Sequence, residues 1–105
     1  MSLFQEIELQ AQQATDPQSL HSLIDQLSTL IAQSDEPVNM LRLRAAIWVK
    51  LDEKGKAIND YREMLVLDPE DEEAATQIQY LQTILRYNNT DIYANPNTNM
   101  DPWLE

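Results

Sequence analysis

The segment running from Val38 to Asp71 constrains the chain most, because two helical stripes lie in it back to back. Leu41, Ala45, Trp48 and Leu51 recur at spacings of four, three and three residues, the signature of one helical face. Arg42, Lys50 and Glu53 fall off that face. Gly55, the only glycine in the chain, follows and predicts a helix stop, since glycine takes the left-handed conformation without a Cβ clash. Ala57, Tyr61, Met64 and Leu65 form a second stripe that ends near Leu67. Asp68-Pro69 then breaks it, because proline cannot continue a helix and disfavours helical geometry in the residue before it. Two helices of about 14 residues cannot bury such stripes alone and must pack on each other and on neighbours.

Small and aromatic residues stand at fixed offsets here: Leu41, Ala45, Trp48, then Ala57 and Tyr61, then Pro69. Over 34 residues the pattern resembles a tetratricopeptide repeat. The resemblance implies that Ala45 and Ala57 are points of close helix crossing and that Trp48 and Tyr61 fill the wedge where the helices diverge. Arg44 departs from it, standing where the family has leucine. Displaced by 34 residues, the register continues: Ile7 aligns with Leu41, Ala11 with Ala45, Leu23 with Ala57, Leu27 with Tyr61 and Leu30 with Met64. Residues 1–37 thus read as a degenerate repeat, with a plain antiparallel hairpin as the other reading.

The flanking segments carry their own punctuation. Ser2 and Gln5 have the spacing of a capping box, and Phe4, Ile7, Ala11 and Ala14 follow on one face. Asp16 is placed to cap, and Pro17 to open, a helix bearing Leu20, Leu23, Leu27, Leu30 and Ile31. Ser34-Asp35-Glu36-Pro37 closes it. Asp71, Glu72 and Glu73 suit the positive end of a further helix, whose Ala74, Ile78, Leu81 and Leu85 form the face expected to cover the central repeat. The expected fold is therefore all-α, a superhelix of antiparallel hairpins with helices near 3–14, 18–33, 37–52, 54–67 and 71–87. Residues 1–87 form the helical domain: repeats over 1–37 and 38–71, and a capping helix over 72–87.

Composition narrows the partners. The net charge is −11, and all seven basic residues lie between Arg42 and Arg86. Such a chain repels nucleic acid and anionic lipid, so basic, neutral or apolar surfaces are the expected partners. The plainer reading of the charge is solubility. Cysteine is absent, which excludes disulfides and thiolate metal sites. With neither an 18-residue apolar run nor a basic-then-apolar leader, the expected location is cytoplasmic.

Catalytic and metal candidates are thin. His21 and Asp25 lie one helical turn apart, short of the three or four ligands a metal needs, so His21 reads as a surface histidine. Ser19 and Ser22 flank His21 on one helix, whereas a triad converges from separate elements opposite an oxyanion donor. Asp68-Pro69-Glu70-Asp71-Glu72-Glu73 lacks the glycine and alternation of a calcium loop. Asn88-Asn89-Thr90 fits a glycosylation sequon, relevant only in a secretory lumen. No cofactor, metal or enzymatic activity is expected.

The expected function is a protein–protein interaction module. By the geometry the resemblance implies, the first helix of each repeat lines a concave groove: Leu9 and Gln12, then Asn39, Arg42, Leu43, Ala46, Val49 and Lys50, then Gln77, Tyr80 and Ile84. Arg42 and Lys50 are the cations nearby. The family's carboxylate clamp is not matched, since Ala46 stands where its asparagine is needed. The bland alternative for the apolar members is ordinary inter-helix core. Tyr80, Ile84 and Tyr87 add a second stripe to the last helix, where a pure cap is polar. Residues 88–105 are asparagine- and proline-rich, the composition of a disordered tail, yet they carry Ile92, Tyr93, Met100, Trp103 and Leu104. Spaced apolar anchors suit a groove-bound segment, so the tail is a candidate occupant of the groove, in its own molecule or in a neighbour. Asp101-Pro102-Trp103 also resembles a short clathrin-adaptor motif, and Leu104-Glu105 a cloning scar. The alternative function is a self-assembling structural protein that exchanges its tail between copies.

Overall fold

The computed structural model describes residues 2–88. The expectations placed on Asn89-Thr90 and on the tail's apolar residues therefore lie outside the described residues. Five helices follow one another: α1 (Leu3–Gln13), α2 (Pro17–Gln33), α3 (Val38–Lys50), α4 (Lys54–Leu67) and α5 (Glu72–Asn88). Consecutive helices pack as antiparallel hairpins; α3–α4 is the most extensive contact, and α1 also reaches α3.

Local chemistry sets most boundaries. Ser2 and Gln5 form the reciprocal capping box of α1, with the Gln5 N–H donating to Ser2 Oγ (3.2 Å) and the Ser2 N–H to Gln5 Oε1 (3.1 Å). The Ser19 N–H donates to Asp16 Oδ2 at 2.9 Å, with Pro17 at the first helical position. Asp71 Oδ1 accepts from the Ala74 N–H at 3.1 Å at the start of α5.

The stop of α3 differs from the sequence expectation. Gly55 lies inside α4 and has no positive φ; Asp52 takes the left-handed conformation instead, at φ 61°. The Glu53 N–H donates to the Trp48 carbonyl (2.8 Å) and the Asp52 N–H to the Val49 carbonyl (3.0 Å). These are the two bonds of a Schellman ending, and aspartate is one of the few non-glycine side chains that tolerate its left-handed position.

The apolar residues form two clusters. One holds Leu41, Ala45, Ala57, Ile58, Tyr61, Met64, Ala74 and Leu81, with Ile78 and Leu85 packed against it; the other holds Ile7, Ala11, Leu20, Leu23, Ile24, Leu27 and Ile47. Trp48 packs against both and stays partly exposed, so its ring joins the clusters rather than filling a sealed wedge. Ala45 and Ala57 are fully buried, as close crossings require. Of the five residue pairs related by 34 positions, only Leu30 is less than buried. Ile47 and Ile58 are buried off the expected stripes, because middle helices of a stack meet neighbours on more than one side.

Arg44, the departure from the repeat pattern, has a specific partner. Its guanidinium grips Asp60 of α4 through Nε–Oδ2 (2.9 Å) and Nη2–Oδ1 (2.6 Å), and Nη1 donates to Ser28 Oγ of α2 at 3.0 Å. Ser28 in turn donates to the Ile24 carbonyl at 2.8 Å. One arginine thus ties α2, α3 and α4 together, and Asp60 is the one buried charged side chain among the described residues. Burial pushes the Asp60 carboxyl above its usual range while Arg44 pulls it back; the hydrogen bond to Asp60 holds Arg44 more firmly protonated. These directions disagree about the worth of the pair. The carboxylate is the more deeply enclosed partner, with 5% of its side chain exposed against 16%, so lost hydration governs its direction.

Candidate groove and its electrostatics

Helices α1 and α3 meet along their solvent-facing sides in a hollow of about 200 Å³, lined by Ala11, Gln12, Leu43, Ala46, Ile47 and Lys50. Four of these, Gln12, Leu43, Ala46 and Lys50, are groove positions expected from the sequence. The floor is built by methyl and methylene groups, because Ala11 and Ile47 reach through to the core while Ala46 is too small to fill the space. Leu9 (46% exposed) and Val49 (38%) extend apolar surface on these two helices. A larger hollow of about 490 Å³ at the α1–α2 junction is lined mainly by glutamine and serine and offers no comparable apolar floor.

On α5, Gln77 and Ile84 are partly buried and Tyr80 is exposed. None of the three enters the α1–α3 hollow. The tie between α3 and α5 is Arg42, whose Nε lies 2.8 Å from Glu73 Oε1 and whose Nη2 lies 3.7 Å from Asp71 Oδ2. The Nε approach is short but poorly aligned for a hydrogen bond. Arg42 Nη1 also donates to Asn39 Oδ1 at 2.7 Å, which accounts for Asn39.

Lys50 carries a structural task that its position in the sequence did not reveal. Its Nζ donates to the carbonyls of Ala11 (2.5 Å) and Ala14 (3.0 Å), where α1 runs out of backbone donors. A cation there also complements the negative end of the helix dipole. Both cations expected along the groove are thus engaged by the protein itself. The signals that pointed this way were weak: α1 has no basic residue in its last turn and no glycine after it.

Other candidates resolve simply. His21 is exposed and meets Trp48 edge-on, with ring centroids 6.0 Å apart, and Lys56 Nζ stands 4.7 Å from the centre of the Trp48 ring. Among the described residues no group of three or more metal-ligating side chains converges, and no helix is long and apolar enough to cross a membrane. Comparison with known protein families, with curated proteins and with solved structures returned no match to this chain.

Proposed function

We propose that the chain is a protein–protein interaction module of the tetratricopeptide type, acting in the cytoplasm, that holds a peptide segment against the open faces of α1, α3 and α5. The observation that carries this reading is the unfilled apolar hollow between α1 and α3, two helices that also expose Leu9 and Val49. A hollow of that volume suits one bulky apolar side chain, and burying one such side chain contributes about 1.5–3 kcal/mol. The segment belongs to another protein or to residues 89–105 of this chain.

Selection from a random peptide library tests the reading. Ala46→Glu places a charge in the hollow at an exposed position, and Tyr80→Ala/Ile84→Ala strips the α5 face. Peptides enriched on the wild type are expected to be lost on Ala46→Glu and weakened on the α5 variant. Recovery of the same peptides from all three folded proteins argues against the groove.

A second reading is favoured by one observation: α5, the last described helix, leaves Tyr80 59% and Tyr87 81% exposed, where the capping helix of a stacked array is normally polar. Self-association through that end, with or without residues 89–105, makes the sedimentation coefficient rise with concentration. A constant monomer value across the series removes it.

A further inference from the structure

The charge in the wall of the α1–α3 hollow bears on its occupant. Lys50 is the one charged side chain among the residues that line it. Its Nζ donates to the Ala11 and Ala14 carbonyls, which hold the ammonium in place without cancelling its charge. An ammonium has three N–H donors, so one remains for an incoming acceptor. Among the described residues no carboxylate stands within ion-pair distance of it. The complement of an apolar seat with a held cation is an apolar side chain with a carboxylate beside it.

Helix directions bring such a segment within reach. The contact of Lys50 with the last turn of α1 means that α1 and α3 end together, and the contacts of Arg42 with Asp71 and Glu73 mean that α3 and α5 begin together. The three helices run in one direction, so α5 ends, at Asn88, on the Lys50 end of the stack. From there back to the hollow is about 20 Å, at about 1.5 Å of rise per helical residue and about 10 Å between axes. Ile92 and Tyr93 cover that distance only on a taut chain. Trp103 follows Asn88 by about 15 residues, an extended reach of about 50 Å. Asp101 precedes it by two, and alternate residues of an extended segment share one side. Pro102 favours that form, because it disfavours helical geometry at Asp101. Residues 89–105 hold Asp91, Asp101 and Glu105 and no lysine or arginine.

Resting on the groove reading above, we propose that the occupant is this chain's own segment 97–105, with the Trp103 indole seated between α1 and α3 and the Asp101 carboxylate on the remaining N–H of Lys50. The Gln12 side chain, which also lines the hollow, offers an acceptor for the indole N–H. One anchor and one ion pair support only about millimolar affinity between separate molecules, and a tether of this kind supplies an effective concentration of that order. The tail therefore covers the groove until a tighter ligand displaces it.

The chain has no cysteine, so a nitroxide on Asn99→Cys marks the segment in the full chain. The amide signals of Gln12, Ala46 and Lys50 are expected to be lost. An equal mixture of spin-labelled chain with isotope-labelled chain lacking the nitroxide is expected to show no such loss. Asp101→Lys and Trp103→Ser, both outside the five helices, are each expected to restore the signals, as is Ala46→Phe, which fills the hollow from an exposed position. Loss confined to the last turn of α5, or spread alike over the whole surface, overturns the docking. Loss that also appears in the mixture overturns the placement within one chain and gives the hollow to a second copy. Loss that survives Asp101→Lys and not Trp103→Ser overturns the pairing with Lys50. Should the tail fail, peptides selected from the library decide the groove: shifts at Gln12 and Ala46 leave it standing with another occupant, and their absence counts against it as well.

Discussion

Arg44 and Asp60 form a bidentate ion pair across the α3–α4 crossing, at 2.9 and 2.6 Å, in a position the surrounding pattern reserves for apolar packing. Removing one partner leaves the other charge enclosed. Arg44→Leu alone is therefore expected to cost about 3–5 kcal/mol, read as the shift of the urea midpoint. The double variant Arg44→Leu/Asp60→Leu is expected to cost much less than the sum of the single changes, because no charge then remains to be hydrated. Additive losses would show that the two side chains contribute independently.

The exchange of roles between Asp52 and Gly55 predicts opposite responses three residues apart. Gly55→Ala, inside the first turn of α4, is expected to stabilise by about 0.4–1 kcal/mol, since alanine fits a helix and restricts the unfolded chain. Asp52→Val is expected to destabilise by about 1–2 kcal/mol, because a β-branched side chain clashes at φ 61°. Thermal melts of both variants check this; a destabilising Gly55→Ala restores glycine as the helix stop.

Lys50→Met removes the cation from the end of α1. A loss of about 1 kcal/mol in unfolding free energy is expected, with faster amide exchange confined at first to the last turn of α1. Lys50→Arg is expected to recover part of it. Uniform exchange across all five helices would mean that Lys50 does not act locally.

Acid stability follows from Asp16. The Ser19 backbone N–H, helped by the Ser19 side chain, holds the Asp16 carboxyl below its usual range. The unfolded chain thus takes up that proton first, so the stabilisation is present at neutral pH and lost as pH falls through the carboxylate range, near 4 and below. Asp16→Asn keeps the cap geometry without the titration and is expected to flatten that part of the stability curve. Asp60 has the opposite sign: burial raises it, so its protonation favours the folded chain and does not drive acid unfolding. An unchanged acid limb in Asp16→Asn would assign the loss to other carboxylates.

Ala57→Leu tests the close approach of α3 and α4. Ala57 has no exposed surface, and overpacking there is expected to cost about 1–3 kcal/mol by chemical denaturation. A neutral substitution would place a void beside it.

The helices were legible because their signals are local. Ser2 with Gln5, Asp16 with Pro17, and Asp68 with Pro69 act within a few residues, and the 34-residue spacing exposes the alignment of Ile7 with Leu41 and Ala11 with Ala45. Contacts across the stack were not. Arg44 meets a partner 16 residues away, and Lys50 reaches carbonyls 39 and 36 residues back. In a one-dimensional pattern Arg44 is only a departure from a leucine position and Lys50 only a cation beside the groove. The groove was half legible for the same reason: periodicity gives the face of Leu43 and Ala46, while the state of Arg42 and Lys50 depends on neighbours that periodicity does not name. Ile47 and Ile58 escaped because a helix between neighbours has no single wet side.

Trp48 has a consequence for how the domain comes apart. Its indole is a shared wall of two oily compartments that otherwise have separate memberships. If either compartment opens, the ring loses its packing on that side and the other compartment gains a wet flank. That shared wall couples the two compartments, so they are expected to melt in one transition rather than one after the other.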